Sequence, residues 1–145
     1  MGKEIPDYQD ADIILRLYEM RREAVMRDSR KSITMEWWPR NYDEVLAITK
    51  TDHPMNAAFR QMATYWEMVY GLAKHGIVNA DFLMESNAEG LFLYAKIAPY
   101  LEQLRKDYFP MVFQNAEWIA TNSERGKMAF TMLTARVEQA LKAQA

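Results

Sequence analysis

Apolar residues recur along this chain with the period of an α-helix, and nowhere does an alternating strand pattern persist. That single regularity does most to limit the fold. Ile13, Ile14, Leu17, Met20, Ala24 and Val25 share one face of a helical wheel, with Arg16, Glu19, Arg22 and Glu23 opposite. Phe59, Met62, Ala63, Trp66, Val69, Tyr70 and Ala73 form the clearest stripe. Leu91, Tyr94, Ala98, Leu101, Leu104 and Tyr108 form another, and Phe130, Leu133, Val137, Ala140 and Leu141 a last one. The hairpin dipeptides Asn-Gly and Asp-Gly are missing.

Punctuation between the stripes marks helix ends. Asp10 and Asp12 open the first helix, and Arg27, Arg30 and Lys31 close it, an order that complements the helix dipole. Trp37-Trp38-Pro39 stops it, since a residue before proline is driven out of the α region. Asn41 through Glu44 has the spacing of a capping box, as do Ser86 through Glu89 and Thr121 through Glu124. Pro54 suits a first helical position, Gly76 a left-handed C-terminal residue, and Asn79 an N-cap. The helical spacing runs straight through Pro99, which predicts one helix kinked there. The expectation is a single all-α domain over 1–145, an antiparallel bundle of five to six helices with a proline-kinked helix around Pro99.

A chain of 145 residues, half of them hydrophobic, buries enough surface for a core without disulfides or metals. The composition excludes disorder. The formal charge of −2 gives no global argument for nucleic acid. Residues 16–31 carry six basic and three acidic side chains, which reads as a solvated helix face. Zero cysteines remove disulfides, thiolate nucleophiles and Cys-based zinc sites, and suit a cytoplasmic chain. The first residues lack the apolar segment of a signal peptide, and no window is long and apolar enough for a transmembrane segment.

Residues 57–120 carry a recognisable set of motifs. They run Ala57-Ala-Phe-Arg-Gln-Met-Ala-Thr-Tyr-Trp-Glu67, then Gly71-Leu-Ala-Lys-His-Gly-Ile-Val78, Tyr100-Leu-Glu-Gln-Leu-Arg105 and Asn115-Ala-Glu-Trp-Ile-Ala120. This stretch resembles an uncharacterised bacterial domain-of-unknown-function family of small all-helical proteins. The resemblance implies an all-helical fold and no particular activity. Members often carry transmembrane helices ahead of this region, whereas here a charged amphipathic helix precedes it.

No catalytic constellation appears. Neither His53 nor His75 has a carboxylate three residues before it, so the Glu-x-x-His pairs of di-iron bundles are missing. No His-Glu-x-x-His, nucleophile elbow or phosphate-binding glycine loop is present. We therefore expect no metal, no cofactor and no enzyme; acid–base chemistry at Glu67 is the one catalytic form left open. Glu67, Arg105 and Glu117 sit beside apolar stripes, where charge is costly unless paired, and they read as a buried ion-pair group. Adjacent tryptophans cannot both face one core, so Trp37 and Trp38, with Met35, are the interface candidates. Tyr65, Trp66 and Tyr94 are pocket candidates for an apolar ligand. The leading expectation is an interaction or assembly module that self-associates or binds a protein partner. A small apolar-ligand-binding bundle is the alternative.

Overall fold

The computed structural model describes residues 2–145, and helices account for most of them. The first helix, α1 (Tyr8–Arg21), starts where the Asp7 carboxylate accepts the N–H groups of Gln9 and Asp10 at 3.0 and 3.2 Å. It ends earlier than its stripe suggests. Glu23 takes the Met26 N–H at 3.2 Å and starts a separate helix, α2 (Ala24–Arg30). A π-helical turn, Lys31–Glu36, follows and stops at Trp37, where the backbone becomes extended ahead of Pro39.

Asn41 caps α3 (Tyr42–Ile48) by accepting the Glu44 N–H at 2.9 Å, as the capping-box spacing predicts. The Glu44 carboxylate reaches back one residue further than expected, to the Arg40 N–H at 2.6 Å. Pro54 lies in a turn rather than in the helix, and α4 (Asn56–Lys74) begins two residues later. Gly76 follows α4 in the left-handed region, with φ 75°, in the role assigned to it. Asn79 caps α5 (Ala80–Met84) through the Phe82 N–H at 2.8 Å.

Two expectations are corrected here. The described residues hold nine α-helices rather than five to six. Nor is there a single kinked helix around Pro99. Helix α6 (Gly90–Ile97) ends, a 3₁₀ turn spans Ala98–Tyr100, and α7 (Leu101–Asp107) starts afresh. Proline has no N–H to donate and its ring crowds the carbonyl four residues back, so the α-helical ladder stops at Pro99. The stripe persists because the chain keeps presenting the same side to the core across the turn. The remaining helices are α8 (Gln114–Asn122) and α9 (Glu124–Ala143), divided by Ser123, whose Oγ accepts the Gly126 N–H at 3.0 Å.

Helix α4 is central, packing against α2, the π turn, α5, α6 and α8. Its Phe59, Met62, Trp66, Val69, Tyr70 and Ala73 are all buried, so the clearest stripe in the sequence is the middle of the core. Each large side chain there contributes about 1.5–3 kcal/mol of transfer free energy. Helix α6 is buried on every side from Gly90 to Ile97, including Lys96. Gly90 permits this, because a Cβ there would stand 2.6 Å from Trp66 and from the Tyr70 hydroxyl. Helix α9 covers α6 and α8, burying Gly126 and Val137. No helix among the described residues is long and apolar enough to cross a membrane.

Candidate functional site

The three charged candidates gather around the start of α8. Glu67, half-buried on α4, accepts the N–H groups of Asn115 and Ala116 at 3.0 and 2.8 Å, one on each carboxylate oxygen. The Asn115 side-chain amide returns a bond to the Glu67 carbonyl at 2.9 Å. Gly71 makes room for that amide: a Cβ there would lie 2.9 Å from Asn115 Nδ2. Burial pushes the Glu67 carboxyl above its ordinary range, against the pull of the two N–H groups. Its charge is thereby matched to the positive end of α8, where four N–H groups need acceptors.

Arg105 on α7 bonds the Glu117 carboxylate at 3.1 Å and, through Nε, the Val112 carbonyl at 3.2 Å. Both contacts fix α8 and the segment before it to α7. The three residues thus brace one helix from two sides, with Glu67 acting on backbone amides rather than as an ion-pair partner of Arg105.

Between α4 and residues 108–115 lies a cavity of about 290 Å³. Phe59, Ala63, Val112 and Phe113 give it apolar walls, and Arg60, Glu67 and Asn115 supply polar groups. Its rim is apolar as well. Phe109 is 44% exposed and Met111 62%, with Tyr108 beside them. Phe113 holds the loop with φ 58°, a left-handed conformation that non-glycine residues rarely adopt. Sequence reasoning missed this cleft, although Phe109-Pro110-Met111, an apolar run just past the stripe that ends at Tyr108, was its signal.

Of the pocket candidates, Tyr65 and Trp66 pack edge-on with ring centroids 5.0 Å apart, whereas Tyr94 packs on other rings. Tyr65, Trp66 and Tyr94 are all buried. Tyr65 donates its hydroxyl to the Leu17 carbonyl at 2.8 Å, and Trp66 stacks on Tyr70 with ring centroids 5.7 Å apart. The Trp66 indole N–H has no hydrogen-bond partner among the described residues. Tyr94 packs on Phe113 and Phe130 and also lines an open cleft of about 790 Å³ shared with Arg105 and Glu117. Burial raises the Tyr65 and Tyr94 hydroxyls to about 12.

Of the interface candidates, Trp37 is buried edge-on against Phe59, with centroids 6.1 Å apart. Trp38 is half-buried against Phe92, and its indole N–H donates to the Met35 carbonyl at 2.9 Å. Met35 is 68% exposed.

Lys96 was not anticipated. It is 3% exposed, and its Nζ donates to the carbonyls of Ile33, Thr34 and Trp37 at 2.7, 3.0 and 2.7 Å. The ammonium lies 3.9 Å from the Trp38 ring centroid and 4.9 Å from that of Phe92. It satisfies the carbonyls left open where the π turn ends. Burial lowers its pKa to about 7. Asp10, read in the sequence only as a helix-opening residue, is also fully buried, accepting from Lys3 at 2.6 Å and from the Asn79 N–H at 2.8 Å. Among the described residues no three His, Cys, Asp or Glu side chains converge closely enough to hold a metal ion.

The chain matches the family described as Domain of unknown function (DUF4760) over residues 6–123, and it belongs to that family. The match takes in the whole of residues 57–120, on which the resemblance rested, and extends through α1. All of α9 lies beyond it. No curated protein matches the chain, and no solved structure does.

Proposed function

We propose that this DUF4760 chain is a protein-interaction module whose docking point is the cleft between α4 and residues 108–115. One observation carries the reading: an apolar cleft whose rim holds Phe109 and Met111 out in water. Exposed aromatic and methionine side chains around a concavity are the usual material of interface anchors, and methionine adapts to varied partners. At about 290 Å³ the cavity stands at the lower end of the roughly 300–1,000 Å³ typical of small-ligand sites and has room for one or two apolar side chains of a partner. Glu67 is already bound to the amides of α8, so its role here is to hold the cleft wall. Met35 and the half-buried Trp38 form a second apolar edge, which we assign a subsidiary contact.

The test uses Phe109→Ser and Met111→Glu in the full-length chain. Sedimentation velocity over a hundredfold concentration range reads self-association, and a photo-crosslinker at position 114, an exposed position lining the same cleft, reads a heterologous partner in the native host. The expected result is one discrete assembly or adduct that both substitutions abolish while the circular dichroism stays helical. A monomer at every concentration with no discrete adduct overturns the proposal. So does an assembly that both variants leave intact. A small bound mass in native mass spectrometry, displaced by Met111→Glu, would instead establish the ligand-binding alternative.

A further inference from the structure

Four of the six basic residues of 16–31 meet at one concavity, while Arg16 and Lys31 remain exposed outside it. Arg21, Arg22, Arg27 and Arg30 line one cleft of about 420 Å³ between α1, α2 and the turn before α6, together with Tyr18, Ser86 and Glu89. Two of the four are built into the walls. Arg30 forms a two-point pair with Glu89, both bonds 2.7 Å long, which also uses up the one carboxylate lining the cleft. Arg21 donates to the Ser86 carbonyl at 3.0 Å and to Asn87 Oδ1 at 3.1 Å, and its guanidinium lies over the rings of Tyr18 and Trp66.

Arg22 lies over Tyr18 as well, with its guanidinium carbon 5.7 Å from the ring centroid. Tyr18 thereby holds Arg21 and Arg22 together at the cleft. Neither Arg22 nor Arg27 has a carboxylate partner among the described residues, and the nearby Glu23 carboxylate takes the Met26 N–H. The cleft lining thus holds four arginines and one carboxylate, a local excess of about three positive charges in a chain of formal charge −2. Like charges held at one concavity repel one another unless an anion sits among them. That every basic side chain there is arginine narrows the anion, because the planar fork matches phosphate oxygens in pairs.

We propose that this cleft binds a phosphoryl group, carried by a small soluble molecule or by a lipid headgroup. Arg22 and Arg27 supply the two free forks. Arg21 supplies a third charge from a fixed position, and Tyr18 keeps the guanidinium planes in place. The site is independent of the apolar cleft and does not require the docking proposal to hold.

The experiment titrates inorganic pyrophosphate into the full-length protein by calorimetry and follows the backbone amides by NMR. Arg22→Gln and Arg27→Gln are the variants, chosen because both side chains are exposed and neither holds the fold. A saturable interaction is expected, with shifts centred on Tyr18, Arg22, Arg27 and Glu89. Each substitution should weaken it about tenfold, and added salt should weaken it further. A second arm measures co-sedimentation with phosphatidylcholine vesicles, with and without phosphatidic acid. Pyrophosphate binding without vesicle binding assigns a soluble phosphate. Arginine-dependent binding to phosphatidic acid vesicles assigns a headgroup. Absence of binding in both arms overturns the proposal, as does binding that Arg22→Gln and Arg27→Gln leave unchanged.

Discussion

Raising the pH from 7 to 9 is expected to stabilise this protein, with Lys96 as the cause. Its ammonium is 3% exposed and its pKa is lowered to about 7 in the folded chain by burial. In the unfolded chain a lysine titrates near 10.4. Between those values the unfolded state binds the additional proton, so folding stability rises with pH. The limiting slope is about 1.4 kcal/mol per pH unit. Starting from half-protonated Lys96 at pH 7, the gain by pH 9 integrates to about 2 kcal/mol. The window closes above that. The buried hydroxyls of Tyr65 and Tyr94, raised to about 12, keep protons that an unfolded tyrosine releases near 10, and this reverses the slope. Urea unfolding at pH 7, 8 and 9 reads the effect, with Lys96→Met as the control. The control loses the donor to three carbonyls at every pH, so its midpoint shifts but its pH slope vanishes. A flat wild-type profile would show that the three carbonyls and the rings of Trp38 and Phe92 outweigh desolvation. An equal slope in Lys96→Met would assign the effect to another group. Either result refutes the reasoning.

Three further outcomes are expected. Gly90→Ala should lower stability by about 1–3 kcal/mol in urea unfolding, because its Cβ would meet Trp66 and the Tyr70 hydroxyl 2.6 Å away, outweighing the better helix propensity of alanine. Glu67→Ala should cost about 1–3 kcal/mol, and the amides of Asn115 and Ala116 should lose hydrogen-exchange protection; unchanged protection would disprove the cap. Trp37→Ala should cost about 3–5 kcal/mol in the same unfolding assay, since its ring fills core space against Phe59, whereas the half-buried Trp38 should cost less when replaced. Trp38→Ala is accordingly the cleaner test of the subsidiary contact, read by sedimentation.

Much of the local structure was legible because it depends on neighbours in the chain. The α4 stripe, the Asn41 and Asn79 caps and the left-handed Gly76 all follow from residues within a few positions of one another. The helix count was not legible. Where Glu23 offers the backbone an alternative acceptor, or Pro99 withholds a donor, the ladder breaks although the apolar stripe continues. Periodicity records which side faces the core, and a chain can keep that side through a break.

The sites divide along the same line. Glu67, Arg105 and Glu117 could be singled out as charges beside apolar stripes, but the amide partners of Glu67 lie 48 and 49 residues away, where no local rule reaches. Lys96 gave no warning, because α6 is buried all round and such a helix has no polar face for a lysine to depart from. The arginines of α1 and α2 read as an ordinary solvated face until the turn at Ser86–Glu89 closed a cleft around them. The sequence by itself determined that this chain is helical and where α3 and α5 begin, since capping and periodicity are short-range. Only the tertiary structure decided which charges are buried, which are left without counter-charge and which apolar groups remain in water, because each depends on what packs against them from afar.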